Sequence, residues 1–325
     1  MSSAKTAEPS QPPRSPDAKE EPVSAADNIA GVALTHPERM LYSEQGVSKR
    51  ELARYYEAIA DWILPYVVER PLTLVRCPQG RGKKCFYQKH WTGALPDAVE
   101  SVVIREKDGP QPYVVIRDLK GLISLVQMSV LELHPWGARI DQLERPDQTV
   151  FDLDPGEGTG WKNVKQAAVD VRNVLAEAGL TSFVRTSGGK GLHVVVPITR
   201  RNCWVDVGDF AQDIAVGLAR RSPDQYVAHM RKSLRGGRVF VDYLRNRRGA
   251  TSIASYSTRA RGGAPVATPL AWEELPDLAA PDQWTLQNVP QRLASLSSPP
   301  WDTFDSIRQS LTQEAQAVAA RFARG

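Results

Sequence analysis

The stretch TVFDLDPGEG, residues 149–158, places two aspartates directly after an apolar run. Side chains at positions i and i+2 of a β-strand lie on the same face, so Asp152 and Asp154 leave one side of a predicted strand at its end. Two carboxylates this close repel each other unless a proton or a cation lies between them. The spacing therefore predicts a positive counter-charge, although aspartates that merely cap a strand end would explain this pattern taken alone.

Two further apolar stretches end in residues that fit the same chemistry. GRVFVDYL supplies a third aspartate, Asp242, and such hard oxygen ligands are those that Mg²⁺ or Mn²⁺ prefers. TSGGKG supplies Ser187 and Lys190, and its glycines allow a phosphate to approach the backbone. It lacks Walker A spacing, and taken alone it is better explained as a tight hairpin turn. Beside the aspartates, phosphate binding is the favoured interpretation.

Histidines and aromatic residues are the next candidates. His134 is predicted to end a buried helix over GLISLVQMSVLELH, just before the acidic strand, and to contact a ligand. His193 lies in an apolar strand and is predicted to be a hydrogen-bonded core residue. In GRGKKCFYQKH, basic residues adjoin Phe86 and Tyr87, as expected of a surface that stacks on bases. An aromatic strand beside a solvated basic loop explains that stretch equally well. No histidine spacing indicates a zinc hydrolase.

The composition is that of a globular protein with localised basic surfaces. The chain has 325 residues and a net charge of +4, enough for one large domain or two modest ones. Basic residues bunch beside glycine, which suggests surfaces for polyanions, although solubility would explain any single cluster. Cys77, Cys85 and Cys203 form no CxxC pair, so we expect neither a structural disulfide nor a cysteine zinc site, and a reducing cytoplasmic compartment. No signal or membrane-spanning pattern is visible.

The elements that must position these residues alternate between strands and helices. Residues 1–28 are predicted to be a disordered tail, and residues 29–325 a single domain. Ser48 and Glu51 form a capping box that begins a helix over SKRELARYYEAIADWILPYV. Further strands are predicted at PLTLVRCP, VVIREKDGPQPYVVIRD, TSFVRTSG and GKGLHVVVPI, and further helices at 161–178, DVGDFAQDIAVGLARR and WDTFDSIRQSLTQEAQAVAARFA. The pattern indicates an α/β or α+β fold with a mixed sheet.

Taken together, FDLDPGEG, TSGGKGLHVVVP and VFVDYLRN, followed by ATSIASYSTRARGGAPVATPL, resemble the polymerase domain of bacterial ligase D in the archaeo-eukaryotic primase superfamily. LTHPERMLY, PLTLVRCP, CFYQKH and LELHPWGAR share the resemblance, which runs from about residue 31 almost to the C-terminus. It implies a primase-type polymerase fold, a mixed sheet core with flanking helices. It also implies a template-directed nucleotidyltransferase that extends primers and fills gaps in non-homologous end joining, with ribonucleotides favoured.

Carried onto matching positions, the resemblance implies roles for single residues. Asp152, Asp154 and Asp242 would be catalytic and would hold two Mn²⁺ or Mg²⁺ ions. Arg39, where the family has lysine, and Lys49 would bind a DNA 5′ phosphate, and the EKDGPQP loop would help to hold two DNA ends. The nucleoside triphosphate would be bound by polar, basic and aromatic side chains, namely His134, Ser187, Lys190, Arg235, Arg245, Arg259, Phe86 and Tyr87.

The resemblance also implies partners. DNA ends with gaps or overhangs and nucleoside triphosphates would be the substrates, and the protein would lie in the cytoplasm at the nucleoid. No ligase or nuclease segment is recognisable, so Ku and a separate DNA ligase are the expected partners. A primase that starts chains de novo is one alternative, although no zinc-binding module is visible. A catalytically silent end-bridging module is another, disfavoured because the three aspartates and Lys190 are all present. A phosphohydrolase would not need a triphosphate-binding turn with this many arginines.

Overall fold

Two larger β-sheets with packed helices dominate residues 27–325, which the computed structural model describes. The helices are α1 Lys49–Ala58, α2 Ala60–Val67, α3 Leu119–Gln127, α4 Trp161–Glu177, α5 Trp204–Arg221, α6 Val289–Ser295 and α7 Gln313–Arg324. The strands are β1 Asn28–Ile29, β2 Val32–Ala33, β3 Met40–Tyr42, β4 Val47–Ser48, β5 Leu72–Arg76, β6 Phe86–Gln88, β7 Glu100–Glu106, β8 Gly109–Val115, β9 Val130–Pro135, β10 Gln148–Pro155, β11 Phe183–Thr186, β12 Leu192–Pro197, β13 Tyr226–Val227, β14 Val239–Asp242 and β15 Pro269–Leu270. This content confirms the predicted mixed α/β class.

The larger sheet has six strands in the order β13-β14-β10-β12-β11-β15, antiparallel except between β13 and β14. Phe151 and Leu153 of β10 pack with α4 and α5 in a buried core on one face. Because side chains alternate along a strand, Asp152 and Asp154 leave the opposite face. The helices cover one face of the sheet, so the polar side chains of a functional site can lie only on the other face.

The second sheet has five strands. β6, β5, β8 and β7 lie in that order, and β9 also pairs with β5. Its core is shared with α1, α2 and α3 and includes Tyr256 and Val266, from the segment that follows β14. The segment after β14 therefore connects the six-stranded sheet to the hydrophobic core of the five-stranded sheet.

Most predicted helices are confirmed with shifted ends. The Ser48–Glu51 capping box is present and begins α1, but the predicted single helix is interrupted at Ile59, where the backbone leaves the helical region and α2 begins. The helix expected over residues 161–178 is α4, which ends at Glu177. The closing helix is shorter than predicted, because α7 begins only after its N-cap Thr312.

The helix predicted over GLISLVQMSVLELH is half wrong. Asp118 caps α3, its side chain accepting from the Gly121 N–H at 2.8 Å, and α3 ends at Gln127. Ser129 then adopts a left-handed conformation with φ of 60°, and the chain continues as β9, paired with β5. Every residue of β9 is buried, so hydrophobic periodicity could not separate strand from helix. His134 consequently lies on a strand and not at a helix end.

The expectation of no structural disulfide is also wrong. Cys77 and Cys85 are bonded, with their Cα atoms 4.3 Å apart, and Cys203 is free. The bond closes a hairpin in which Arg76 of β5 faces Phe86 of β6. Strand pairing brings together two cysteines that are eight positions apart. The cysteine spacing therefore no longer supports a reducing compartment.

The predicted N-terminal tail lies outside the described residues except for its last two positions. Asp27 pairs with Arg50, and Asn28 of β1 faces Ala33 of β2. Among the helices of residues 27–325, none has the length and apolar character needed to cross a membrane.

Candidate active site

A transverse row of polar side chains crosses the face of the six-stranded sheet opposite the helices. Asp152 on β10 faces Asp242 on β14 and, on its other side, His193 on β12. His193 in turn faces Arg185 on β11. Facing residues of antiparallel strands present their side chains on the same side of the sheet, so the four groups are adjacent. Asp154, two positions along β10, leaves the same face.

Arg245 is the counter-charge that this structure supplies to the aspartates. Its Nε lies 3.2 Å from Oδ2 of Asp152 and 3.2 Å from Oδ2 of Asp242. Burial alone would raise the pKa of Asp152, but His193, Arg245 and Arg259 hold it below its ordinary value. Burial and then the Asp152 charge raise the pKa of Asp154 to about 7, and burial raises the pKa of Asp242. One arginine therefore leaves the three carboxylates only partly compensated.

The aspartates have the chemistry of a divalent-cation site. Within residues 27–325, no three His, Cys, Asp or Glu side chains converge closely enough to enclose one ion. Asp152 and Asp242 are nevertheless buried carboxylates that share one guanidinium, and Asp154 has a raised pKa because of its burial and the neighbouring negative charge of Asp152. Hard oxygen donors of this kind fit Mg²⁺ or Mn²⁺, with ligand phosphates completing the coordination.

The turn between β11 and β12 lies against the acidic end of β10. Ser187 Oγ accepts from the N–H groups of Gly189 at 3.3 Å and Gly191 at 3.2 Å, which fixes the turn. A Cβ on Gly191 would lie 2.2 Å from the carbonyl oxygen of Leu153, so only glycine allows this approach. Lys190 is exposed at the tip. The turn therefore presents a lysine and a serine beside the carboxylates.

A cavity of about 430 Å³ lies between this turn and the aspartates. Arg259 lines it and donates through Nη1 to the Ser187 carbonyl at 2.9 Å. Arg261 also lines it, although its position in the sequence did not predict a role for it. The remaining lining includes Asp152, Asp154, Lys190, His193 and Arg245. Several cations beside carboxylates suit a ligand that combines phosphates with metal ions.

His134 adjoins the same region through a buried hydrogen bond to Glu132 that the sequence did not reveal. Its Nε2 lies 2.8 Å from Oε2 of Glu132, which also lies 3.2 Å from Nε of Arg259. Burial opposes ionisation of Glu132, but His134 and Arg259 lower its pKa to about 2. Glu132 and His134 are two positions apart on β9, a same-face relation that was hidden while LELH was assigned to a helix.

Phe86 and Tyr87 do not form one continuous platform. They are adjacent on β6 and so point to opposite faces, with 40% and 69% of their surfaces exposed. The Tyr87 ring lies 5.9 Å from the His134 ring and lines a cavity of about 130 Å³ with Arg245. Phe86 instead lies 5.7 Å from the guanidinium of Arg76. Only Tyr87 belongs to the site in this structure.

Arg235 lies at the rim beyond the acidic strand. Its guanidinium is 3.8 Å from the centre of the Phe240 ring, and Nη2 donates to the Met230 carbonyl at 2.6 Å. A Cβ on Gly156 would lie 1.8 Å from the Arg235 carbonyl oxygen, which explains the glycine after Asp154-Pro155. Arg235 thus packs against the loop that follows β10, while its charge lowers the pKa of Asp154.

The two residues assigned to a DNA 5′ phosphate differ in accessibility. Arg39 is exposed and donates to the Pro78 carbonyl at 3.1 Å. Lys49 is buried, and its Nζ donates to the carbonyls of Thr35 at 2.8 Å and Gln127 at 3.1 Å. Burial, and then the charge of Arg39, lower the pKa of Lys49 to about 8. A phosphate contact by Lys49 would require its side chain to leave these partners.

Comparison with known proteins adds independent evidence. Residues 48–301 match the model of the "LigD, primase-polymerase domain" family. The chain is 42% identical over 284 residues to a protein of Pseudomonas aeruginosa named "Multifunctional non-homologous end joining protein LigD", covering 87% of this chain and 34% of that protein. It is 28% identical to "Bifunctional non-homologous end joining protein LigD" of Bacillus subtilis, covering 83% of this chain and 44% of that protein. The chain therefore spans less than half the length of these relatives.

One solved structure is similar over most of the chain. The polymerase domain of Mycobacterium tuberculosis ligase D, in complex with DNA, superposes with a TM-score of 0.76 at 32% identity. The match covers 81% of this chain and 94% of that one. The fold is therefore the primase-type polymerase fold expected from the sequence.

Proposed function

The chain belongs to the LigD primase-polymerase domain family, and on that premise we propose that it is a template-directed nucleotidyltransferase that extends primers and fills gaps at DNA ends. One observation carries the proposal. Asp152 and Asp242 lie at facing positions on neighbouring strands, Asp154 leaves the same face, and the Ser187–Lys190 turn borders a basic cavity beside them. Carboxylates alone would suit many metal enzymes, whereas the adjoining cations suit a substrate with several phosphates.

Asp152, Asp154 and Asp242 would hold the divalent cations. When bound, two such ions supply charge stabilisation for an attacking 3′ hydroxyl and a leaving pyrophosphate. Because β10 and β14 are fixed by their pairing, the chain presents these carboxylates with little freedom. Arg245 contacts two of these carboxylates, Asp152 and Asp242. With metal ions and substrate bound, its guanidinium would instead contact the phosphates.

The triphosphate would lie in the cavity beside the β11–β12 turn. Lys190, Arg259 and Arg261 would neutralise its charge, and the Ser187 hydroxyl would donate to a phosphate oxygen. Binding there places the α-phosphate toward the aspartates, so that positioning and electrostatics provide the catalysis.

The base would lie toward β6 and β9. Tyr87 offers an exposed ring beside His134, and the Glu132–His134–Arg259 contacts hold that side of the pocket in place. Arg39 is available to a DNA phosphate as the structure stands, while Lys49 would have to rearrange. The hairpin of β7 and β8 carries the EKDGPQP loop, which we propose as a contact to a second DNA end.

The cellular setting is proposed from the relatives, whose names place them in non-homologous end joining. We propose the same pathway here, with gapped or overhanging DNA ends as substrate, a DNA ligase sealing the product and Ku as the end-binding partner. The preference for ribonucleotides, the use of Mn²⁺ and a location at the nucleoid are proposed on the family resemblance alone.

Primer extension on a gapped, 5′-phosphorylated duplex tests this function. Reactions would contain Mn²⁺ or Mg²⁺ with ribo- or deoxynucleoside triphosphates, and parallel reactions without primer would detect de novo initiation. Template-directed addition by the native protein should be lost in Asp152→Ala/Asp154→Ala. It should persist in Asp141→Ala, a control that removes an exposed aspartate paired with Arg200. No addition under any condition, with DNA binding intact, would refute polymerase activity and favour a bridging module.

A further inference from the structure

Arg185 forms one end of the polar row on the six-stranded sheet. Asp242, Asp152, His193 and Arg185 occupy facing positions on β14, β10, β12 and β11. Arg185 itself does not line the cavity beside the Ser187–Lys190 turn. Within the row the hydrogen bonds of Arg185 go to His193, so its contact with Asp152 passes through that imidazole.

The hydrogen bonds from Arg185 determine which nitrogen of His193 carries the proton. Arg185 donates to Nδ1 of His193 from Nε at 3.2 Å and from Nη2 at 3.1 Å. A guanidinium can only donate, so Nδ1 must be an acceptor without a hydrogen. The ring hydrogen then lies on Nε2, which is 3.3 Å from Oδ1 of Asp152. The protonated nitrogen of His193 therefore faces the carboxylate.

The surroundings of Arg185 provide no ionic partner. The residue is 3% exposed, its other hydrogen bonds are to the hydroxyls of Ser255 at 2.9 Å and Ser252 at 3.3 Å, and its guanidinium lies 6.0 Å from the centre of the Trp301 ring. Among residues 27–325, no carboxylate lies within 4.0 Å of its guanidinium. A buried charge without an ionic partner is costly, so packing alone does not explain an arginine here.

We propose that Arg185 is a positioning residue that orients Asp152 through His193. The proposal rests on the proposed function in taking Asp152 as a metal ligand. Oδ1 of Asp152 lies 3.3 Å from Nε2 of His193, while Oδ2 faces Arg245. Without Arg185 the imidazole loses the donors that fix its tautomer and plane, and Asp152 loses a fixed partner. Loss of such an outer partner typically weakens metal affinity about 10- to 100-fold.

Long-range ¹H–¹⁵N NMR of the imidazoles tests the first step without any metal. The chain has five histidines, and a His193→Gln spectrum identifies the relevant signals. The native protein should show His193 protonated at Nε2, with an unprotonated Nδ1 shifted by hydrogen bonding. In Arg185→Met, the Nδ1 signal should move toward the position of a free imidazole nitrogen. Arg185→Lys, which keeps one donor, should restore part of the shift.

Mn²⁺ binding, followed by electron paramagnetic resonance, tests the second step. The Mn²⁺ dissociation constant should rise about tenfold or more in Arg185→Met and less in Arg185→Lys. Arg70→Met is the matched control, because Arg70 is buried and pairs with Asp147 away from the row. It should leave both the His193 spectrum and Mn²⁺ affinity unchanged. The KM for nucleotide should change less than twofold in the Arg185 variants.

The outcomes separate this proposal from the proposed function. A native His193 protonated at Nδ1, or Mn²⁺ affinity equal in Arg185→Met and Arg70→Met, would overturn the positioning role. If Arg185→Met does not fold, the native spectrum and Arg185→Lys still decide the matter. Failure of the native protein to bind Mn²⁺ would instead refute the metal-dependent function and with it the positioning of a metal ligand, whatever the tautomer.

Discussion

Gly191→Ala is the substitution whose effect on the site follows most directly from the structure. Gly191 joins the Ser187–Lys190 turn to β12 and lies beside the last residues of β10. A Cβ there would meet the Leu153 carbonyl oxygen at 2.2 Å, a backbone atom that cannot rotate away. The turn must therefore move outward from the acidic strand end.

The size of the effect can be worked from that contact. The separation must increase from 2.2 Å to at least 3.0 Å, so the triphosphate groups shift relative to the aspartates by a similar distance. A displacement of about 1 Å in a catalytic arrangement costs about 100-fold in rate, or roughly 2.7 kcal/mol in activation free energy. Overpacking is also expected to lower the unfolding free energy by about 1–3 kcal/mol.

Single-turnover primer extension at saturating Mn²⁺, combined with chemical denaturation, measures both effects. Gly236→Ala is the matched control, since a Cβ at Gly236 meets nothing within 4 Å. We expect Gly191→Ala to lose activity while it remains folded, and the control to retain both activity and stability. If Gly191→Ala extends primers within about threefold of the control, the turn does not have to lie this close to the aspartates, and the reasoning from the contact is wrong.

Three other perturbations have defined outcomes. Tyr87→Ala should weaken binding of the templated nucleotide by about 1–3 kcal/mol and Phe86→Ala by clearly less, because only Tyr87 adjoins His134; equal losses in calorimetry would contradict the geometry. Replacing Cys77 and Cys85 together by serine should lower the unfolding free energy by about 2 kcal/mol, and the difference should vanish in reductant; a difference that persists in reductant would refute the cross-link as its cause. Burial lowers the pKa of Lys49 to about 8, so between about pH 8 and 10 the unfolded chain binds a proton that the folded chain has lost. The unfolding free energy of the native protein should therefore rise by about 1–2 kcal/mol across that window relative to Lys49→Met, whereas a constant difference in denaturation titrations would exclude the shift.

Local pattern in the sequence was sufficient for most of the elements and for part of the site. The two-residue spacing of Asp152 and Asp154 places both carboxylates on one face of any strand that contains them. The capping box at Ser48 begins α1 as predicted, and the glycines of TSGGKG mark the close turn beside β10. His193 was predicted to be buried and hydrogen-bonded, and it is. Such inferences succeed because strand alternation and helix capping depend on residues a few positions apart.

Tertiary structure decided which of these groups meet. The row from Asp242 through Asp152 and His193 to Arg185 depends on the registers of four strands, which no local spacing encodes. Those registers are set by the opposite face of the sheet, where Phe151 and Leu153 must be buried against α4 and α5. The strand identity of β9, the Cys77–Cys85 bond and the part played by Glu132 likewise arise from pairing between distant segments. The sequence determined the kinds of chemical groups at each strand end, and the packing of the sheet determined their partners.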